Sequence, residues 1–395
     1  MAGTLNSVHN NVSYALHLHS EAMSKLQEQA STGSRINRPS DEPSTAYRVM
    51  GLNSQERSLQ NFIETIDQSI DMMEMGLSVV ESTIDSVADA KVRLTQIVGG
   101  VYDQDGRDRV ADELNDILEH MVSLANTQHM NEYLFGGGKS GSVPYTVDRT
   151  NGEITAVNYT GSYEDRQVEM SPGVDASALY VGYDIFHSDN RQTPVFFGDT
   201  GAATGSGTSS VRGDVWLTVT HDGSNYQLSI DDGATTVTVP GAGDVSNIAV
   251  TNADGEVLYV DATNISSTGV DMVSVPGTYD LFNTLIHARD VLRNGRGISE
   301  DQLHDIRNNS LSALEEVRSH LVERSVSMGS KIGFMSNVRT STENVKFGAQ
   351  DEAAMLEEAD ITQIAIDLAQ RELLYQMSLN VAGKLMSLSL LDYMV

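Results

Sequence analysis

The chain has 395 residues, enough for about two to four domains of ordinary size, and its 55 acidic against 25 basic side chains give a formal net charge of −30. That excess opposes phosphate-binding surfaces and anionic membranes, both of which rely on Lys and Arg. The absence of Cys excludes disulfides, thiolate nucleophiles, zinc–thiolate sites and iron–sulfur clusters. One Trp and 6% aromatics leave little for the aromatic walls of an enzyme pocket. No run of about 18 apolar residues exists, so no membrane-spanning helix is expected. Residues 1–20 hold no Lys or Arg, and Asn6, Asn10 and Asn11 interrupt any apolar core, so no secretory signal is expected. Composition alone points to the cytoplasm.

Along the chain, residues 5–30 carry an apolar stripe on Leu5, Val8, Val12, Ala15, Ala22 and Leu26. Pro39-Ser40-Asp41-Glu42-Pro43 then reads as a helix start, with Ser40 or Asp41 as cap and Pro43 in the first turn. From Val49 to Val98, positions spaced by three and four residues are apolar except at Glu56 and Lys91. A seven-residue repeat held this long predicts a coiled-coil seam. Gly99-Gly100 should end that helix. A short turn over Tyr102–Asp108 leads to a second helix on Val110, Leu114, Ile117, Met121 and Leu124, which must run antiparallel to the first.

From about 143 to 277 the period becomes two, as in Leu217 and Val219 alternating with Thr218 and Thr220. Asn151-Gly152, Asp222-Gly223, Asp232-Gly233 and Asp254-Gly255 are dipeptides suited to two-residue hairpins. The Gly/Ser/Thr run across Thr193–Gly213 reads as a linker between two β units. Helix resumes over Leu281–Leu292 and again from about Ser299. A last helix is expected from about Ala354 to Tyr393, amphipathic on Leu356, Ile361, Ile364 and Leu368. Beyond Glu372 it is apolar on nearly every side, including Leu373, Leu374, Tyr375, Met377, Leu379, Val381, Leu385, Leu388 and Leu391. Such a helix must be buried all round, which one partner helix cannot do. The remaining faces call for neighbouring copies.

The fold class expected is a multidomain α+β protein. Both termini form long antiparallel coiled-coil or helical-bundle arms around an antiparallel β insertion of one or two domains. Residues 1–34 and 350–395 would pair as a terminal polymerisation core, 35–142 and 278–349 would form a long-helix bundle, and 143–197 and 198–277 would be two β units. The assembly interface is expected on Leu5, Val8, Val12, Leu26, Ile361, Ile364, Leu368, Tyr375, Leu379, Leu385, Leu388 and Leu391.

Chemical motifs are few. Gly136-Gly137-Gly138-Lys139-Ser140 resembles the end of a phosphate loop, but Tyr133 stands where its first glycine is required. Val101–Asp112 mimics a calcium loop, yet Val101 offers no oxygen, and a capped helix-to-helix turn fits better. His17 and His19 point to different helix faces, and no His-Glu-x-x-His pair exists. Asp231-Asp232 reads as a turn, Glu357-Glu358 as a helix face, and Met72, Met73, Met75, Met377 and Met386 as core or interface filler. No catalytic site, cofactor or metal is expected.

Three segments carry a resemblance. They are RINRPSDEPSTA (Arg35–Ala46), ANTQHMNEYLFGG (Ala125–Gly137), and EEADITQ (Glu357–Gln363) running on to SLSLLDYMV (Ser387–Val395). Together they resemble the flagellin superfamily over about residues 1–145 and 280–395, with the β middle matching only as a variable insertion. Within it they look like the hook–filament junction proteins. Flagellins usually carry Lys-Asp-Asp-Ala near Arg38–Pro43, Asn-Gly near Tyr133–Gly137, and Leu-Leu-Arg near the end. The resemblance implies a structural protein outside the cell, in a ring of its own copies between hook and filament. It would be exported through the flagellar type III channel without a cleaved signal, which overturns the cytoplasmic reading. Implied partners are its own copies, the other junction protein, flagellin and an export chaperone, with no nucleic acid or membrane insertion. The implied junction residues are Arg35, Asn37, Arg38, Pro39, Asp41, Pro43, Tyr133, Leu134, Phe135, Gly136 and Gly137. Alternatives are a flagellin-like filament subunit, or a stalked surface binder acting through the acidic β insertion.

Overall fold

The computed structural model describes residues 2–99, 103–177, 179–241 and 243–393, with side chains described outside 1–9, 98–99 and 385–393. Three helices open the chain: α1 (Ala2–Thr32), α2 (Pro43–Gly99) and α3 (Gln104–Ala125). The middle holds four short antiparallel elements, β1 (Gln128–His129) with β2 (Glu132–Tyr133) and β3 (Tyr145–Thr150) with β4 (Glu153–Tyr159). Next come β5 (Gln167–Ser171) paired with β6 (Val174–Ser177), and the short α4 (Gly182–Phe186). The strands that follow are β7 (Val195–Phe197), β8 (Ala203–Thr204), β9 (Gly213–His221), β10 (Tyr226–Ser229), β11 (Val237–Thr238), β12 (Ile248–Thr251), β13 (Val257–Asp261) and β14 (Gly269–Val275). Helices α5 (Leu281–Arg293), α6 (Glu300–Glu357) and α7 (Ile361–Tyr393) close the chain. The α+β class with helical termini is therefore present. The chain divides into two compact units, Met1–Glu64 with Arg339–Val395, and Thr65–Val338.

In the unit Thr65–Val338 the seam is the organising feature. Ile66, Met73, Val80, Val87 and Leu94 fall at every seventh position, and each has 0% exposure. At about 1.5–3 kcal/mol per fully buried side chain, this row outweighs any intrinsic helix propensity. One polar interruption, Lys91, is met by Glu315 on α6 at 2.8 Å. Gln104–Asp108, expected within a turn, is already helix, and Gly100–Tyr102 lie outside the described residues. Asp103 accepts the Gly106 N–H at 3.0 Å, so helix begins at Gln104. The carboxylate counted towards a calcium loop is thus a helix cap.

Residues 143–186 share the helices' core rather than building their own. Tyr145, Ile154, Met170 and Phe186 are buried in one cluster with Leu114, Leu118, Leu285 and Leu314. Arg289 of α5, 2% exposed, donates to the Ile154 carbonyl at 2.7 Å and to Asn115 of α3 at 2.8 Å, tying β4 between the helices.

The second β unit has a separate core on Leu217, Val219, Leu228, Val250, Leu258, Val260 and Val273. A five-stranded sheet in the order β11-β10-β9-β14-β7 packs with a three-stranded sheet, β12-β13-β8. Two expectations are corrected here. Of the four dipeptides, Asn151-Gly152 alone forms a two-residue turn, with φ of 54° and 90°. Between β9 and β10, four residues intervene from His221 to Tyr226, and Asp222 accepts the Ser224 and Asn225 N–H groups. The run Thr193–Gly213 is no free linker, because β7 and β8 lie within it and pair into both sheets.

The connection lies elsewhere. Ser188, Asn190 and Gln192 donate their N–H groups to the carbonyls of Tyr279, Gly277 and Pro276, so the strands entering and leaving the unit pair with each other. Gly277 sits at φ 81°, and a Cβ there would lie 1.6 Å from the Asn190 carbonyl oxygen. Gly277→Ala should therefore destabilise the protein by about 2 kcal/mol or more, measured by urea unfolding. An unchanged midpoint would contradict this account of the stalk.

Candidate assembly site

The unit of the chain ends is built around an elbow. Gly33, at φ 70°, closes α1 in the left-handed conformation. The chain then meets the break between α6 and α7: Arg35 N–H donates to Glu357 O at 2.7 Å, and Ala359 N–H donates to Gly33 O at 3.1 Å. Arg35 Nη2 adds a bond to Leu356 O at 3.1 Å and faces Glu42 at 3.4 Å. Glu357-Glu358, expected on a helix face, thus ends α6, and Glu358 bridges to Ser34. The last helix starts at Ile361 rather than near Ala354, because Asp360 accepts the N–H groups of Thr362 and Gln363 at 2.9 and 3.0 Å.

Asp41 is the polar centre of the elbow. Its Oδ2 accepts the N–H groups of Asn37 at 3.2 Å and Arg38 at 3.0 Å, while Oδ1 meets Lys25 of α1 at 3.0 Å. It folds the loop back on itself and gives no bond to the start of α2, which corrects the expected capping role. Lys25 and the two backbone donors hold its carboxyl below the usual carboxylate value. Arg38 faces Glu28 of α1 at 3.5 Å, and Pro39 and Pro43 are exposed. Along the neighbouring helices, Glu56, the other polar interruption of the seam, accepts from Gln350 of α6 at 2.5 Å.

Helices α1 and α7 pack along each other. Val12 and Leu26 are half-buried, as are Leu368 and Tyr375, and Ile364 is buried. Ile361 and Leu379 are 51% and 46% exposed. Leu5, Val8, Leu385, Leu388 and Leu391 lie on these helices, but their side chains are outside the described residues. The rest of α7 is apolar towards solvent: Leu373, Leu374, Met377 and Val381 are exposed, together with Ile366, which the sequence reading passed over. Tyr14 and Leu18 of α1 are exposed too, and were missed because they stand off the α1 stripe.

The second junction motif belongs to the other unit and is interior. Leu134, Phe135, Gly136 and Gly137 are buried, and Tyr133 is half-buried. Phe135 stands 5.2 Å from Phe186, in a ring cluster that continues through Tyr145 to Phe282. Gly137 has φ 58°, and a Cβ there would meet Ser162 O at 2.6 Å. The motif is a packed turn. Burial gives Leu134 and Phe135 a packing role within this unit.

The family model of the bacterial flagellin N-terminal helical region matches residues 4–140. Flagellar hook-associated protein 3 of Salmonella typhimurium is 25% identical over 169 residues, covering 42% of this chain and 50% of that protein. The chain resembles flagellar hook-associated protein 3. The Escherichia coli protein of the same name is 27% identical over 163 residues, 40% of this chain and 47% of its own length. The chain thus spans about half the length of the curated relatives it matches. In fold it is similar to hook-associated protein-3 of Legionella pneumophila, with TM-score 0.53 and 13% identity over 78% of this chain and 98% of that one. Xanthomonas campestris FlgL gives TM-score 0.51 and 20% identity over 76% and 98%.

The Asp41 contacts predict a pH dependence with a definite sign. Its folded pKa is lowered, so its contribution is present above the unfolded value near 3.8 and is lost as pH falls through the folded value. Asp41→Asn should lower Tm at neutral pH by a small amount, with the gap to the parent closing below pH 3.8. A gap that stays constant through acid pH would show that Asp41 works by shape alone.

Proposed function

We propose that this chain is a structural, non-enzymatic component of the bacterial flagellum that joins hook to filament. A ring of its copies would adapt the other junction protein on the hook side to flagellin on the filament side. It would reach that place outside the cell by flagellar export, uncleaved and escorted by a chaperone. The observation that carries the reading is the solvent-facing apolar surface of α7 in a chain that resembles flagellar hook-associated protein 3. A surface of this kind is costly on a soluble monomer and marks a protein contact.

In this reading the terminal pair (1–34 with 350–395) is the polymerisation core, and 35–142 with 278–349 is the long-helix bundle. The β units, 143–197 and 198–277, project from that bundle. Residues 148–277 contain 18 acidic side chains against 4 arginines, a charge that keeps neighbouring projections apart and soluble. The turn carboxylates are already used: Asp231 accepts from Thr235, Ser229 and Ala253, which holds its pKa at about 2. Among the described residues no group of acids or histidines is arranged to hold a metal, and no helix is long and apolar enough to cross a membrane.

Replacing Met377 and Val381 together by Glu tests the reading. Both are exposed, at 56% and 49%, so the circular dichroism of the isolated protein should not change. Cells carrying the double variant in place of the parent should export it and yet shed their filaments. Normal filament numbers would overturn the assembly role of α7.

A further inference from the structure

The second β unit meets the helices at a seam that is not a continuous apolar core. Its own core is closed off from the helical one, and a small cluster bridges the two: Met272, Phe197 and Trp216 against Val291, Ile298, Leu303 and Ile306. Beside this cluster lies a buried polar group. Asp214 accepts from Ser274 at 2.6 Å and from Asn309 of α6 at 3.4 Å, and Ser274 also bonds the Tyr279 hydroxyl. Glu316 of α6 accepts the Gly277 N–H at 2.8 Å, at the foot of the paired stalk. Two clefts open along the seam. One, of about 340 Å³, is lined by Trp216, Asp232, Arg293 and Arg296. The other, of about 380 Å³, is lined by Tyr183, Arg212, Asp280 and His287. A joint so clefted resembles a docking contact between domains, where relative motion is the default.

One side chain spans the first of these clefts. Arg296, in the turn between α5 and α6, lies with its guanidinium 5.0 Å from the centre of the Trp216 ring on β9. The same guanidinium donates through Nη1 and Nη2 to both oxygens of Asp232, at 2.5 and 2.9 Å, in the turn between β10 and β11. Arg is suited to this double role, because its planar fork can stack on a ring and pair with a carboxylate at once. We infer that Arg296, clamped between Trp216 and Asp232, is a latch that holds the second β unit in one fixed pose on the α5–α6 turn. The β unit is then a projection of set direction rather than a tethered domain. Asp232 fits the part: it holds φ 53° in its turn, and Arg296 keeps its carboxyl below the usual range. Breaking the latch should let the unit rock on its stalk while both cores stay folded.

The full chain lends itself to a direct test, because it has no cysteine of its own. Spin labels at Thr236→Cys and Asp305→Cys, both exposed, report the distance between the β unit and α6 by pulsed electron resonance. The expected distribution is a single narrow peak in the latched parent. Arg296→Ala and Asp232→Asn should each broaden it by about twofold, with unchanged circular dichroism. Asp232→Asn is the sharper variant, since it leaves Arg296 free to cover the Trp216 ring. Arg296→Lys should broaden the peak as well, because an ammonium cannot make the forked pair. A parent distribution already broad, or variants with the parent's width, would overturn the latch.

Discussion

The architecture of the terminal unit depends on one backbone exchange. Gly33 and Arg35 bond to Glu357 and Ala359 across a chain separation of more than 320 residues, with 321 between Arg35 and Leu356. Because these are main-chain bonds, side-chain identity matters mainly in allowing the turn: Gly33 supplies the left-handed residue, and Asp360 restarts the helix. Two helices from opposite ends of the sequence are thereby brought side by side. Once α1 covers one face of α7, an apolar surface that no segment of the described chain covers is left facing water. The self-association proposed for the protein follows from that surplus.

Polar residues then specify what apolar ones only stabilise. A seam of repeating apolar positions can slip by a heptad at small cost, whereas a buried or half-buried polar position must find its partner. Glu56 with Gln350, and Lys91 with Glu315, supply such partners on α6 within their respective units. Glu315 is drawn down to a pKa of about 2 by Arg318 and Lys91, though its exposure keeps the pair's contribution to stability modest. The register of α2 against α6 is where these interruptions of the repeat have their use.

Much of this was legible in the sequence, for identifiable reasons. The seam of α2 announced itself because a seven-residue period has no other structural use at that length. The α6–α7 break was hidden because no Gly or Pro marks it between Glu357 and Ile361. Its signal was present in Asp360 followed three residues later by Gln363, which has the form of a capping box. The run Thr193–Gly213 looked like linker by composition, yet Gly207 is small because Tyr259 packs on it: a Cβ there would lie 2.3 Å from the ring. The Tyr133–Gly137 motif was legible as a resemblance but not as a location. Its glycines are fixed by backbone conformation and close packing, and its Phe by an aromatic core that spacing alone does not reveal.

The most direct measurement of the central claim is reconstitution at the growing end. Purified chain would be added to isolated hooks bearing the other junction protein, followed by flagellin monomers, and filament growth counted by electron microscopy. The account predicts filaments on hooks that received the chain and bare hooks where it was omitted. Equal growth with and without it, or a chain that never binds the hook end, would contradict the claim that its joined termini build the junction.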